Sequence, residues 1–217
     1  LLGIPVLTGS LIRLPLGILT DKYGGRGVFV ALMIGAALPM FLLSLADSFV
    51  SFALCSFGFG IVGGSFAIGI AYTSVWFDKD HQGTALGIFG AGNAGSAITS
   101  LFAPSLLVWL TSGNGVEGWR MLPRVYAAAL LVTAGLFWLV TYPKKVHEDH
   151  VLSLSERLAP LSRVRVWRFG LYYFLVFGGF VALAQWLIPY YVSAYAMSVT
   201  TAGLMASIFS LPSGVIR

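Results

Sequence analysis

The sequence predicts an all-α, polytopic membrane protein with two helix bundles, and three observations lead to that class. Hydrophobic residues make up 58% of the 217 residues and charged residues only 10%, with a mean hydropathy of +0.87. Soluble domains carry roughly 25% charged residues, so this chain has too few to cover a water-facing surface. The apolar residues form long runs, and one long charged segment divides these runs into two groups.

The apolar runs predict the membrane spans. A helix needs about 20 largely apolar residues to cross the hydrocarbon layer, and in lipid it satisfies its own backbone hydrogen bonds. Seven segments meet this condition: residues 1–20, 27–46, 50–77, 83–111, 123–142, 167–191 and 200–217. Because the chain begins without Met and stops within an apolar run, we expect a fragment that is truncated at both ends.

Basic residues in the connecting loops predict the orientation. If residues 21–26 are cytoplasmic, the loops at 78–82 and 143–166 are cytoplasmic too. Nine Lys and Arg residues then lie on that side, counting Arg168 just after the last of these loops, and two, Arg120 and Arg124, lie on the other. This is the asymmetry that the positive-inside rule describes. The net charge of +5 therefore reflects topology, and we expect no nucleic-acid partner because the basic residues form no single patch.

The segment at 143–166 is the longest polar stretch, and its charges have both signs. It predicts a cytoplasmic linker between an N-terminal bundle, residues 1–142, and the start of a C-terminal bundle, residues 167–217. The strings "LTGSLIR" at 7–13 and "LPSGVIR" at 211–217 share Leu, Ile and Arg at matching offsets. Two related helices in the same orientation are typical of the parallel repeats in secondary transporters.

Two arginines, Arg13 and Arg217, lie inside predicted spans. Such a residue costs about 2.5 to 3.5 kcal/mol at a helix centre on insertion scales, so it indicates a function. Snorkelling to an interface and an ion pair are the alternatives. Asp21, eight residues from Arg13, is about 12 Å along the helix, and all eight carboxylates lie in loops or at helix ends. We therefore favour a bound anion, whose oxygens match the planar guanidinium fork.

A glycine-rich helix is predicted over residues 83–100, "GTALGIFGAGNAGSAITS". Its glycines permit close helix packing or sliding; they include Gly87, Gly90, Gly92 and Gly95. A phosphate-binding loop is the competing interpretation, but no strand precedes "GAGNAG" and no Lys-Ser/Thr pair follows it. Asn93 requires a partner in an apolar span, and both a ligand and a neighbouring helix remain open.

Three motifs resemble one transporter family. "GILTDKYGGR" at 17–26 is similar to the loop motif of the major facilitator superfamily; the matching positions are Gly17, Asp21, Gly24, Gly25 and Arg26. "GGSFAIGIAYTSVWF" at 63–77 and "GIFGAGNAGSAITS" at 87–100 resemble the paired glycine-rich signatures of its nitrate/nitrite porters. The resemblance implies a major facilitator-type two-bundle fold, of which this fragment covers about helices 2 to 8.

The resemblance also implies a substrate site. By position, Arg13 and Arg217 clamp nitrate or nitrite, and aromatic residues sandwich the planar anion; these match Phe66, Tyr173 and Phe177. Asn93 matches an asparagine of the family's glycine-rich fifth helix. The expected protein is a monomeric carrier of the cell's inner membrane that works by alternating access. It exchanges nitrate for nitrite or takes up nitrate with protons, without a cofactor or metal.

Other functions stay open at this point. A carrier of another small anion, such as formate, oxalate or an organic phosphate, is one alternative, and a membrane sensor that does not transport is another. An enzyme is disfavoured because the three histidines fall in loops and the predicted spans contain no paired carboxylates. The single cysteine, Cys55, allows neither an intrachain disulfide nor a cysteine cluster for a metal.

Overall fold

The computed structural model describes residues 1–144 and 154–215, so Arg217 lies outside the described residues. In this range the chain forms α-helices that we number in chain order. They are α1 (Gly3–Leu11), α2 (Arg13–Tyr23), α3 (Gly25–Leu43), α4 (Phe49–Phe59), α5 (Ser65–Trp76), α6 (Lys79–Gly90), α7 (Ala94–Asn114), α8 (Met121–Val140), α9 (Leu154–Leu158), α10 (Val164–Tyr195) and α11 (Val199–Val215).

Several of these helices join into stretches that are long and apolar enough to cross a membrane. Among the described residues the continuous ones are Gly25–Leu43, Phe49–Trp76, Lys79–Ser112, Glu117–Val140 and Val164–Tyr195. The bent pair α1 and α2 adds a sixth, and Val199–Pro212 is a shorter apolar helix. Each predicted span overlaps one of these helices within the described residues, so the predicted all-α, polytopic class is confirmed.

The first span is bent where the sequence predicts one straight helix. The axes of α1 and α2 differ by 41°, and Arg13 is the first residue after the bend. Pro15 lies one turn beyond Leu11 and has no N–H, so the carbonyl of Leu11 loses its helical partner. The hydroxyls of Thr8 and Ser10 bond back to carbonyls one turn earlier, which also favours bending.

Two further spans are interrupted by short 3₁₀ turns. Residues Gly60–Gly64 form such a turn between α4 and α5, and residues Ala91–Asn93 form one between α6 and α7. Both segments are rich in glycine, which lowers helix propensity and permits a local change of winding. The interruption at Ala91–Asn93 lies within the signature at 87–100, and the one at Gly60–Gly64 overlaps the start of the signature at 63–77; both regions were predicted to be uninterrupted helix.

The described residues divide into two compact units. The first contains residues 1–92 and 106–144, and the second contains residues 93–105 and 154–215. In the first unit the buried core is formed by Leu16, Leu32 and Ile68 of three different helices. The sequence-based domain boundaries stay a prediction.

Polar contacts tie together one end of the first unit. Ser44, at the end of α3, is fully buried; its carbonyl accepts a hydrogen bond from Arg120 at 3.0 Å, and its hydroxyl accepts one from Arg124 at 3.0 Å. Arg120 also forms an ion pair with Asp47. The end of α3 therefore lies beside the start of α8, as expected for antiparallel helices that cross the membrane in opposite directions.

The second unit is built on α10 and α11. The rings of Phe180 and Phe209 stack with centroids 5.7 Å apart and join these two helices. Gly203 of α11 lies so close to α7 that an added Cβ would collide with the carbonyl of Ser100 and approach Pro104 Cγ to 2.7 Å. None of the residues of α10 is buried, and its large apolar side chains are mostly exposed, as lipid contact requires.

Gly24 provides a test of the link between α2 and α3. Its φ of 87° and ψ of 145° lie in a region that is essentially open only to glycine. We expect Gly24→Ala to lower the free energy of unfolding by about 1 to 3 kcal/mol because of this backbone strain. Thermal unfolding of the full-length protein in detergent measures the effect.

Gly27→Ala is the matched control, since an added Cβ there meets nothing within 4 Å among the described residues. Equal unfolding temperatures for the two variants would contradict the assigned backbone conformation.

Candidate functional site

Arg13 lies in the middle of the membrane-spanning region. Its Nε donates a hydrogen bond to the carbonyl oxygen of Gly63 at 3.3 Å. Gly63 is fourteen residues after Phe49 and thirteen before Trp76, the two ends of its span. The guanidinium is therefore directed to a mid-span carbonyl, which argues against snorkelling to an interface.

Contacts between glycine backbones bring these two spans together. A Cβ added to Gly63 would lie 2.8 Å from Gly9 Cα, and one added to Gly9 would lie 2.9 Å from both Gly63 Cα and the Gly60 oxygen. A Cβ on Gly60 would meet Pro5 Cα at 2.6 Å. Since carbon atoms normally approach to about 3.5–4.0 Å, only glycine fits at this crossing.

Phe66 lies one turn after Gly63 in the same unit. Its ring packs at a tilt against that of Phe89, with centroids 5.6 Å apart. Gly69 lies directly under the ring of Phe89, where any Cβ would collide. A ring from α5 and a ring from α6 thus form one aromatic surface, and the absence of a side chain at Gly69 lets them meet.

Asn93 ends the 3₁₀ turn between α6 and α7. Its carbonyl accepts a hydrogen bond from the Ser96 hydroxyl at 2.8 Å. Its side-chain nitrogen is buried and has no hydrogen-bond partner within residues 1–144 and 154–215. A buried amide that lacks a partner is costly, so this group is a candidate donor to a ligand.

The predicted aromatic pair on α10 is in contact. Tyr173 and Phe177 stack with centroids 5.0 Å apart and an interplanar angle of 13°. Phe177 continues to Phe180 at 6.1 Å, and Phe180 reaches Phe209 on α11. These rings form a ladder of aromatic contacts that runs along α10 to α11.

The predicted site residues therefore fall on both units. Arg13 and Phe66 belong to the first, whereas Asn93, Tyr173 and Phe177 belong to the second. Arg217 lies outside the described residues, and a site shared by all six stays a prediction.

The predicted loop motif joins three helix ends of the first unit. Arg26 donates to the carbonyl of Trp138 at the end of α8, and its guanidinium lies over that indole at 4.0 Å. A Cβ on Gly25 would lie 2.5 Å from Tyr72 Cβ. The Tyr72 hydroxyl in turn donates to the carbonyl of Tyr142 at 2.6 Å. Gly25 and Arg26 thus hold the start of α3 against α5 and the end of α8.

Most of the other predicted motif glycines have more space around them than Gly25 has. A Cβ at Gly17, Gly92 or Gly95 would meet nothing within 4 Å among the described residues, whereas Gly90 is buried. The packing roles of these residues and of Gly87 stay predictions. Asp21 lies in the last turn of α2, within the same motif.

The partners of the predicted residues could not be read from the sequence. Gly63 enters the site through its backbone carbonyl, which side-chain patterns do not reveal. Tyr72 and Trp138 were not assigned any role. The small-residue spacing of Gly60 with Gly64 was a usable signal for close helix contact, but it does not identify Gly9 as the opposite surface.

A groove of about 430 Å³ also opens on the first unit between α2 and α3. Its lining carries no charged side chain; it consists of Ile12, Leu16, Leu19, Tyr23, Gly27, Val28, Ala31, Leu32 and Ile61. An anion would lose its hydration there without gaining charged partners, so the groove is not the anion site.

The whole chain, residues 1–217, matches the Major Facilitator Superfamily. The chain belongs to this superfamily. The resemblance drawn from the loop motif is thereby confirmed at that level, and the helices described above are those of a multi-pass membrane protein. No solved structure matches this chain significantly.

The names of several curated relatives of this chain include nitrate or nitrite. It is 40% identical over 99% of its length to a probable nitrate/nitrite antiporter, NarK1, of Thermus thermophilus, and covers 50% of that protein. It is 34% identical to a nitrite extrusion protein of Bacillus subtilis, with 99% and 52% covered. It is 35% identical to a probable nitrate transporter, NarT, of Staphylococcus carnosus, with 96% and 52% covered. The chain thus spans about half the length of these relatives.

Tyr72→Phe tests the contact between the loop motif and the end of α8. The substitution keeps the ring against Gly25 and removes only the hydroxyl that donates to Tyr142. We expect the free energy of unfolding to fall by about 0.5 to 1.5 kcal/mol, the net worth of one hydrogen bond. Chemical or thermal unfolding of the full-length protein in detergent measures this loss.

Tyr23→Phe is the control, since the side chain of Tyr23 is exposed and the substitution likewise removes only a hydroxyl. If both variants unfolded at the wild-type temperature, the Tyr72 contact would contribute nothing.

Proposed function

We propose that the full-length protein is a secondary active transporter that moves nitrate or nitrite across the inner membrane by alternating access. The observation that carries the proposal is the position of Arg13, whose guanidinium donates to a mid-span carbonyl. A permanent charge at this depth is expensive unless it serves a substrate or a partner. The names of the relatives support nitrate and nitrite as the substrates.

The chemistry of the candidate residues fits a small planar oxyanion. Arginine offers a planar fork of N–H donors, which can bind two oxygens of nitrate in parallel. Asn93 adds a buried N–H group, and Phe66 and the Tyr173–Phe177 pair offer aromatic surfaces that could lie against the faces of the anion. We propose that Arg217 supplies the second guanidinium. A tight, largely apolar site of this kind disfavours larger or more strongly hydrated anions.

We further propose that the carrier works as an exchanger. Both arginines bring permanent positive charge into the spans, so reorientation of an empty site would move desolvated charge. A bound monovalent anion offsets part of that charge, which favours reorientation of the loaded carrier. In this arrangement the protein is a monomer and needs no cofactor, and the loops at 21–26, 78–82 and 143–166 face the cytoplasm.

Arg13→Lys tests the role of the guanidinium. Lysine keeps the charge but loses the planar fork. Hydrogen bonds to charged groups are worth about 1.5 to 3 kcal/mol, so we expect the nitrate affinity to fall by about 10- to 100-fold. Equilibrium binding of nitrate to the purified full-length protein, with uptake into proteoliposomes, measures the loss.

Arg165→Lys, at the exposed start of α10, is the matched control and should bind nitrate like the wild type. Unaltered nitrate affinity in Arg13→Lys would refute the assignment. If formate or oxalate displaced nitrate as well as nitrite does, the substrate would be a different small anion.

Proteoliposomes loaded with or without nitrite distinguish exchange from proton-coupled uptake. We expect external nitrate to enter much faster when nitrite is inside, because the loaded carrier returns more readily than the empty one. The measurement is repeated with and without an imposed pH gradient. Uptake that needs the pH gradient alone would contradict exchange and favour proton coupling.

A further inference from the structure

We propose that Gly63 is a positioning residue for Arg13. Its carbonyl oxygen, held against the bend of the neighbouring span by contact with Gly9, determines the direction in which the guanidinium presents its donors. The inference rests on the proposed function in that the guanidinium binds the transported anion. Gly63 would thus act on the anion site through its backbone, and it would affect the selectivity for nitrate over chloride as well as the nitrate affinity.

The backbones of Gly9 and Gly63 are in direct contact. Gly9 and Gly63 approach so closely that a methyl group on Gly63 would lie 2.8 Å from Gly9 Cα. Backbone atoms cannot rotate away as the end of a side chain can. An alanine would therefore push the two spans apart by about 1 Å to restore a normal carbon–carbon distance.

The hydrogen bond between Arg13 and Gly63 tolerates little displacement of the two spans. Arg13 Nε lies 3.3 Å from the Gly63 oxygen, already at the long end of the range for such bonds. A separation of about 1 Å more would break it. Widening the contact between the glycines would therefore break the hydrogen bond of Arg13 to Gly63.

Arg13 lies directly after the bend in the first span. Because the bend at Ile12 separates α1 from α2, Gly9 fixes the helix on one side of the bend and Arg13 begins the helix on the other. The contact at Gly9 thus sets where the arginine side chain originates. The carbonyl of Gly63 then sets where it is directed.

The hydrogen bond also selects one edge of the guanidinium. An arginine can bind an oxyanion through the edge that contains Nε or through the edge formed by its two terminal nitrogens. Since Nε donates to Gly63, we infer that the anion is bound through the terminal edge. This edge matches two oxygens of a planar anion, whereas a spherical anion such as chloride gains little from it.

The experiment combines Gly63→Ala with Arg13→Lys in the full-length protein. If Gly63 acts through Arg13, Gly63→Ala alone should lower the nitrate affinity about tenfold, as the loss of one charge-assisted contact does. Chloride affinity should fall much less, so selectivity for nitrate declines. In the Arg13→Lys background, Gly63→Ala should have little further effect on the nitrate affinity.

Gly135→Ala is the control, because an added Cβ there meets nothing within 4 Å among the described residues. It should leave the affinities for nitrate and chloride unchanged. If Gly63→Ala reduced nitrate affinity equally in both backgrounds, or reduced nitrate and chloride affinity alike, the role of Gly63 would be general packing. That result would overturn the inference.

A second measurement avoids the added methyl group, in case Gly63→Ala does not fold. Replacement of the peptide bond between Gly63 and Gly64 by an ester makes the Gly63 carbonyl a poorer acceptor; it adds no side chain, although it also removes the N–H donor of Gly64. We expect this ester to weaken nitrate binding more than chloride binding. Equal binding of both anions by the ester and the wild-type protein would overturn the inference.

The failure of the proposed function has a separate signature. If the wild-type protein bound no nitrate, nitrite or other small anion, the proposed function would be wrong. The contact itself would still be tested by thermal unfolding of the two single variants and the double variant. Non-additive unfolding temperatures would support the Gly63–Arg13 contact, and additive ones would refute it.

Discussion

The first unit depends on one constraint: lipid offers no hydrogen-bond partner to the guanidinium of Arg13 at mid-span. The chain meets this constraint with a backbone carbonyl, that of Gly63, at 3.3 Å. That solution requires two backbones in direct contact, which in turn requires glycine at position 9 as well as 63. A bend that follows from Pro15 places the arginine where the carbonyl can be reached. The bend and the glycine crossing together thus bring one charge within reach of one carbonyl.

The ends of the same unit show how the chain places its other polar contacts. At one end Arg26 caps the last turn of α8 through the Trp138 carbonyl and lies over its ring. At the opposite end Arg120 donates to the carbonyl of buried Ser44. Both arginines contact a carbonyl at the C-terminal end of a helix, where carbonyls lack helical partners and attract positive charge. The helix ends are thus joined without placing charge in the hydrocarbon layer.

The sequence predicted the spans and the class well and the local geometry poorly. Apolar runs such as 27–46 and 167–191 have one physical outcome in lipid, so composition was sufficient. The interruptions at Gly60–Gly64 and Ala91–Asn93 were not predicted, because glycine permits both regular helix and 3₁₀ turn, and the choice depends on the neighbour. Arg13 was predicted to be functional from its position, and that stays a prediction. Its partner was not predicted, because a backbone carbonyl has no sequence signature.

By itself the sequence determined that the chain is a helical membrane protein and that a permanent charge lies within the first span. Those properties follow from burial in lipid, which acts on every residue independently of its neighbours. Only the tertiary structure decided which glycines touch, that Arg13 donates to Gly63, and that Tyr72 joins Gly25 to the end of α8. These depend on pairs of residues far apart in the chain, and their contact distances are set by packing that no local pattern encodes.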